Sequence, residues 1–306
     1  MKRILLLLTL TFIFSSCTLT NLVAKGTINK KIIILDQRSL IYDNKNGISF
    51  SELSDITYDK KNQKLYMVGD KGYLYTFSAN FDKKIEKLSY QSVYKIKEKH
   101  GKTGHIDSEG LTHNPQGELI VSFERKARIS QLHKKGKIES DYKMLKKLKK
   151  RKIYKNINSI FEGVAYHPKH GILMAVEFPI HQQKNTQQTI YSLQGKEWHF
   201  KAEKHTNSAV TALEVMDDGN VLVLERAYSG LSNPFIITLK KVYLDDCHHK
   251  EGCRTKVLAS FNSFEGWGIN NFEGLAKVGK NRYIMISDNH NQAILPTILI
   301  YFEVKE

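Results

Sequence analysis

Residues Glu109 to Glu124 read Glu-Gly-Leu-Thr-His-Asn-Pro-Gln-Gly-Glu-Leu-Ile-Val-Ser-Phe-Glu. A short strand-like run, a turn at Asn114-Pro115-Gln116-Gly117 and a second run rich in Leu, Ile, Val and Phe predict a β-hairpin. The same layout recurs from Asp55 to Asp70, Glu162 to Glu177, Val210 to Glu225 and Glu273 to Asp288. Nine of these ten end positions are acidic, and Val210 is the exception.

Two further strand-like runs follow the hairpins, such as Arg128 to His133 and Ile138 to Leu145 after Glu124. Four strands per repeated unit is the pattern of a propeller blade. The expected fold is therefore all-β, a β-propeller of five four-stranded blades, with units long enough to leave room for a sixth. The last unit has one late strand, Thr297 to Val304, and the early run Lys31 to Tyr42 is expected to complete it and close the ring.

In a propeller the first strand of each blade lines the central channel. A register symmetric about each turn sets the two ends of a hairpin face to face. The acids Asp55, Asp70, Glu109, Glu124, Glu162, Glu177, Glu225, Glu273 and Asp288 then form a ring at one mouth. Like charges set side by side in a sheet are destabilising, so a cation, an Arg or protonation must offset them. Hard oxygen ligands at this density suit Ca²⁺ ahead of Mg²⁺ or Mn²⁺. Asn158, Asn270, Asn271 and Asn289 are neutral co-ligands nearby, and His105 and His290 sit near the same ends. The competing reading is architectural: the carboxylates accept backbone N–H bonds between blades or pair with Arg125 and Arg226.

The 306 residues carry 47 Lys plus Arg against 31 Asp plus Glu, and only 3 Cys. With 41% hydrophobic and 25% charged residues, wholesale disorder, a polytopic membrane protein and a disulfide-dense scaffold are excluded. Met1-Lys2-Arg3, the apolar run to Phe14 and Ser15-Ser16-Cys17 predict a lipoprotein-type signal over 1–16 with Cys17 lipidated. A short tether over 17–30 and a single domain over 31–306 follow. Removing 1–16 takes Lys2 and Arg3 and no acid, so the charge of +16 falls to +14. Export argues against nucleic acid as a partner and predicts an outer-membrane lipoprotein facing the periplasm, or a secreted protein if Cys17 is not lipidated. Cys247 and Cys253 remain as a disulfide pair, ahead of a Cys/His metal site with His248 and His249. The base-rich stretch Lys143 to Lys155 suits a short helix or an outer strand.

The segments Leu53-Ser54-Asp55-Ile56, Asp107-Ser108-Glu109-Gly110-Leu111, Ser122-Phe123-Glu124-Arg125, Phe161-Glu162-Gly163-Val164, Glu225-Arg226, Asn271-Phe272-Glu273-Gly274-Leu275 and Ser287-Asp288-Asn289 carry a resemblance. As an ordered set they resemble the phytase-like propeller family described as esterase-like activity of phytase, from about Leu53 to the C-terminus. The resemblance implies a metal-dependent hydrolase of phosphoester or ester substrates. Ca²⁺ would sit in the acidic ring, with Glu109, Glu162 and Glu273 as ligands or general base. Asp288 and Asn289 would be further ligands, and His105 and His290 proton carriers. Surplus Lys and Arg would attract an anionic substrate. A lactonase or sugar-ester hydrolase uses the same ligand types. The alternative is a non-enzymatic, lipid-anchored propeller that binds a protein, glycan or polyanion and keeps the ring as structure. No nucleophile elbow, H-E-x-x-H or phosphate loop is present.

Overall fold

The computed structural model describes residues 26–28, 31–100, 106–125, 127–156, 158–181, 183–230, 232–265, 267, 270–291 and 296–305. The expected signal 1–16, Cys17 and His105 lie outside these residues. In chain order, β1 (Gly26–Ile28) and β2 (Ile32–Leu40) come first, so regular structure begins within the expected tether. Blade 1 is β3 (Leu53–Asp59), β4 (Lys64–Gly69), β5 (Tyr73–Phe81) and β6 (Ile85–Lys95). Blade 2 is β7 (Ser108–His113), β8 (Leu119–Phe123), β9 (Arg128–Leu132) and β10 (Ile138–Asp141). Blade 3 is β11 (Gly163–His167), β12 (Gly171–Ala175), β13 (Gln187–Ser192) and β14 (Glu197–Lys201). Blade 4 is β15 (Ser208–Val215), β16 (Val221–Ala227), β17 (Ile236–His248) and β18 (Gly252–Asn262). Blade 5 takes β19 (Asn271–Gly279), β20 (Arg282–Asp288) and β21 (Thr297–Val304).

The early strand completes the last blade: β2 pairs antiparallel with β21, from Ile32 opposite Val304 to Leu40 opposite Thr297. β1 adds a fifth strand outside it. A single parallel bridge, Phe200 to Cys253, joins the outer edges of blades 3 and 4 into one eight-stranded sheet. The Cys247–Cys253 disulfide closes the hairpin beside that seam.

The innermost strands contact one another in order, β3 to β7, β11, β15 and β19, and β19 returns to β3. That closure makes the fold a propeller. The core confirms the number of blades. Its five apolar clusters each fill one interface, such as Leu222, Leu224 and Leu239 of blade 4 against Tyr283, Met285 and Phe302 of blade 5. Each fully buried Leu, Ile or Val contributes about 1.5–3 kcal/mol, so these faces hold the ring together.

The inner strands approach so closely that side chains are excluded at three points. A Cβ on Gly110 would lie 2.9 Å from the Glu162 carbonyl oxygen, on Gly163 3.1 Å from the Leu213 nitrogen, and on Gly274 2.9 Å from the Asp55 Cα. The repeated Glu-Gly pair therefore has a packing cause: each acid is followed by the residue that lets the next blade come near.

Of the two expectations for Lys143 to Lys155, the stretch forms short helix and no outer strand: two 3-10 helices of one turn each, Lys147–Lys149 and Arg151–Ile153. Met144, Leu148, Ile153 and Tyr154 sink into the core between blades 2 and 3 and leave most of the basic side chains outside.

Candidate functional site

The site lies where each inner hairpin opens, and β-bulges decide which side chains reach it. The expected facing of first and last positions holds only at Val210 opposite Glu225. In blade 1 Asp55 stands opposite Val68, and in blade 5 Asn271 stands opposite Asp288. In blade 2 the Glu124 N–H donates to the Asp107 carbonyl, so Asp107 rather than Glu109 faces Glu124. Bulges between Ser108 and Leu111 and between Phe272 and Gly274 take up the extra residues and carry Glu109 and Glu273. An unpaired residue re-aims its side chain, as bulges beside functional sites do.

The result is an asymmetric acidic mouth. Carboxylate oxygens of Asp107, Glu109 and Glu124 lie within 4.8 Å of one another. Glu124 is 5% exposed, and among the described residues its Oε1 has no hydrogen-bond partner, although the Glu162 carboxyl and the Ile160 N–H lie close to the group as a whole. Burial pushes Glu109 well above the usual carboxylate range, helped by the charges of Asp70, Glu124, Glu273 and Asp107. Burial does the same to Glu162, with Glu109, Glu177 and Glu124 adding to it. Glu124 is pushed up to about 7, chiefly by burial. Asp70 is pushed up to about 6 by burial, although it accepts the Ser54 hydroxyl at 2.6 Å. Gathering these groups costs free energy that a bound cation would return.

On the other side the charge is already matched. Arg226 Nη1 donates to Glu273 Oε1 at 2.8 Å and to Asn271 Oδ1 at 2.7 Å, and Nη2 donates to Glu177 Oε1 at 2.8 Å. Burial still pushes Glu273 up to about 8, against the pull of Arg226. At the rim His290 Nδ1 lies 2.6 Å from Asp288 Oδ2, and Asn271 Nδ2 is 3.3 Å from His290 Nε2. The Asp288 carboxylate raises the pKa of this imidazole, and in its neutral form the ring would donate from Nδ1 and accept at Nε2. Arg125 meets Asp107 at 2.8 Å from a half-exposed position.

Other acids of the expected ring lie apart from this cluster. Glu225 turns into blade 4, where Lys240 Nζ donates to it at 2.7 Å, and its second oxygen takes the Glu203 N–H and the Ser208 hydroxyl. Asp55 is fully buried and accepts the N–H groups of Ile56, Leu111 and Leu275, which ties three neighbouring inner strands together. Asn289 accepts from Glu52 and Asn291 N–H, Asn270 donates to the Pro296 carbonyl, and Asn158 is exposed. Asp107, which belongs to the cluster, was not among the expected ring residues. Its signal was its place two residues before Glu109 in Asp-Ser-Glu-Gly.

A cavity of about 1070 Å³ opens at the opposite mouth among the hairpin turns, lined by Asp59, His113, His167, Asp217 and Lys277. Asp217 there pairs with Lys277 at 2.7 Å, and Glu214, pushed up to about 7 by burial, accepts the N–H groups of Val215 and Lys277. A smaller cavity of about 420 Å³ begins at Phe178, next in sequence to Glu177, and is lined by Lys155, His181, His205 and Asn207.

A closed five-bladed propeller with buried acids gathered at one mouth defines the class of protein. Residues 48–291 match the Phytase-like family, described as esterase-like activity of phytase, and the chain belongs to that family. No curated protein matches the sequence. Among solved structures, the chain is similar to a luciferin-regenerating enzyme at 10% identity, over 83% of this chain and 92% of that one, with a TM-score of 0.42. A protein of unknown function from Bacteroides caccae is 11% identical over 88% and 83%, with a TM-score of 0.43. A PQQ-bound aldose sugar dehydrogenase from Streptomyces coelicolor is 10% identical over 90% and 98%, with a TM-score of 0.39.

Proposed function

We propose that this protein is an exported hydrolase of phosphoester or other ester substrates that works with a divalent cation, Ca²⁺ first, at the acidic mouth. The observation that carries the reading is the buried, unpartnered Oε1 of Glu124 beside the carboxylates of Asp107 and Glu109. Buried polar atoms are rarely left unpaired, and a hard cation with six to eight oxygen ligands suits this donor set.

Asp107, Glu109 and Glu124 would hold the cation, with Glu162 and Asp70 adding charge from the flanking blades. When bound, the cation polarises a phosphoryl or acyl oxygen and lowers the pKa of water. His290 moves the proton. Asp288 holds its Nδ1–H, which leaves Nε2 to take a proton from the attacking water and return it to the departing alcohol. Asn271 fixes the ring through Nε2 until substrate arrives. In the smaller cavity Lys155 would offer positive charge to an anionic substrate, and His181 and His205 would offer ring N–H donors.

The Cys247–Cys253 disulfide supports an oxidising compartment. With the basic, apolar and Ser-Ser-Cys segments of 1–17, it favours an envelope lipoprotein anchored through Cys17. The second reading is a binding propeller without catalysis, favoured by Asp55 and Glu225, acids of the repeat that serve to join strands and side chains. Metal analysis with a broad phosphoester and ester screen separates the two, run on the wild type beside Glu109→Gln. Cation binding and turnover, both lost in the variant, support the hydrolase. A cation bound without turnover on any ester leaves the binding propeller, and no cation with unchanged turnover removes the metal role.

A further inference from the structure

We propose that Arg226 is a built-in counter-ion that takes the fourth blade's share of the mouth and limits the site to a single divalent cation. The inference rests on the cation-dependent reading above.

The cause begins in the β15–β16 hairpin. Glu225 lies opposite Val210 and Arg226 opposite Ala209, and a bulge follows between Val210 and Ala212. Successive side chains on a strand point to opposite faces. Glu225 therefore enters the blade and meets Lys240, while Arg226 takes the position that carboxylates occupy elsewhere around the mouth.

The guanidinium is planar, permanently charged and forked, which lets one side chain span two carboxylates from different elements. Here it joins Glu177 of blade 3 to Glu273 of blade 5 across blade 4, and it also holds Asn271 Oδ1. Those three oxygens are hard donors. Without Arg226 they would form a second set of the kind found at Asp107, Glu109 and Glu124. With it, one half of the mouth is neutralised from within, while in the other half Arg125 meets only Asp107, from a half-exposed position, and Glu124 keeps an oxygen without a hydrogen-bond partner among the described residues.

The test is Ca²⁺ stoichiometry and affinity, by calorimetry and elemental analysis after exhaustive dialysis. The wild type is expected to bind one equivalent. Arg226→Met is expected to bind two, the second more weakly, and Arg226→Lys one. A folded Arg226→Met that still binds one, or a wild type that binds two, overturns the proposal. If Arg226→Met does not fold, Glu177→Gln and Glu109→Gln decide. The first is expected to change Ca²⁺ affinity by less than tenfold, because Arg226 already holds Glu177, and the second to weaken it more than a hundredfold. Equal losses overturn the proposal. A wild type that binds no Ca²⁺ at all instead removes the cation reading on which it rests.

Discussion

Lys240 Nζ lies 2.7 Å from Glu225 Oε1, and neither side chain reaches solvent. The ammonium also donates to the Lys201 carbonyl at 2.8 Å and meets Glu203 at 2.8 Å. Breaking a buried pair strands one charge, at a cost of about 3–5 kcal/mol, whereas replacing both partners with apolar residues is often near neutral. Lys240→Met is therefore expected to lower the free energy of unfolding by about that amount, and Lys240→Met/Glu225→Leu to recover much of it. Urea titration measures both. Glu225→Gln is expected to leave Ca²⁺ affinity unchanged, since Glu225 faces away from the mouth, and a strong loss in calorimetry would return it to the ligand set.

Asp55 predicts a purely structural loss. Asp55→Ala orphans the N–H groups of Ile56, Leu111 and Leu275, three buried donors, two of them on neighbouring strands. Each unsatisfied group costs about 1–3 kcal/mol. The expected result is a stability loss of roughly 3–9 kcal/mol with cation affinity retained in the folded protein. Affinity that falls with no change in stability would contradict this role.

The raised carboxylates predict a pH signature. Asp70, Glu124 and Glu273 sit at about 6, 7 and 8 in the folded chain, above their ordinary values of about 4. A group raised on folding stabilises fully below its unfolded pKa, and that contribution fades as pH rises through the folded value. Cation-free protein should thus lose Tm from about pH 5 to pH 8. Cation binding displaces the protons of Glu124 and its neighbour Asp70, so the Tm gain from Ca²⁺ should grow across that window, with proton release seen as buffer-dependent heats. A Tm gain that stays flat from about pH 5 to pH 8 would refute the assignment.

His290 predicts a split between binding and turnover. Proton transfer by a positioned side chain contributes about 10²–10⁴-fold. His290→Ala is expected to lower kcat by about that factor with Ca²⁺ affinity little changed. Asp288→Asn should do the same in part, since the Nδ1 partner is weakened. Parallel losses of kcat and cation affinity would instead place His290 in the metal shell.

The propeller was readable because its unit is local. Two strands, a turn such as Asn114 to Gly117 and an apolar interior need only neighbouring residues, and five copies announce the ring. The closure of Ile32 to Leu40 on Thr297 to Val304 was readable by counting strands. Register at the mouth was not. A bulge adds one residue without a fixed residue type, and a shift of one moves a side chain to the other face. That is why Asp107 enters the cluster unannounced, whereas in blade 4 the expected pairing of Val210 with Glu225 holds and the alternation of faces sends Glu225 inside and Arg226 to the mouth. Glycine after the acid was the available hint, since glycine in a strand marks a bulge or close backbone approach, and here it marks the narrow wall at Gly110, Gly163 and Gly274. The run from Lys143 to Lys155 showed its short helical turns but not its burial. Its Met144, Leu148 and Ile153 are anchored by tertiary packing that no periodicity records.

The seal between β2 and β21 has a kinetic consequence. Non-local strand pairing is slow to form because its entropy must be lost before its contacts are gained. A chain that emerges in order holds four blades before the segment that completes the fifth arrives. Until then β2 has no partner on the side that β21 fills, and an open strand edge is a template for another chain. Two such chains held side by side can exchange latches, each donating Ile32–Leu40 to the other's Thr297–Val304, and become trapped as a swapped dimer. Crowding during refolding should therefore favour interlocked pairs, and dilution should favour self-closed monomers.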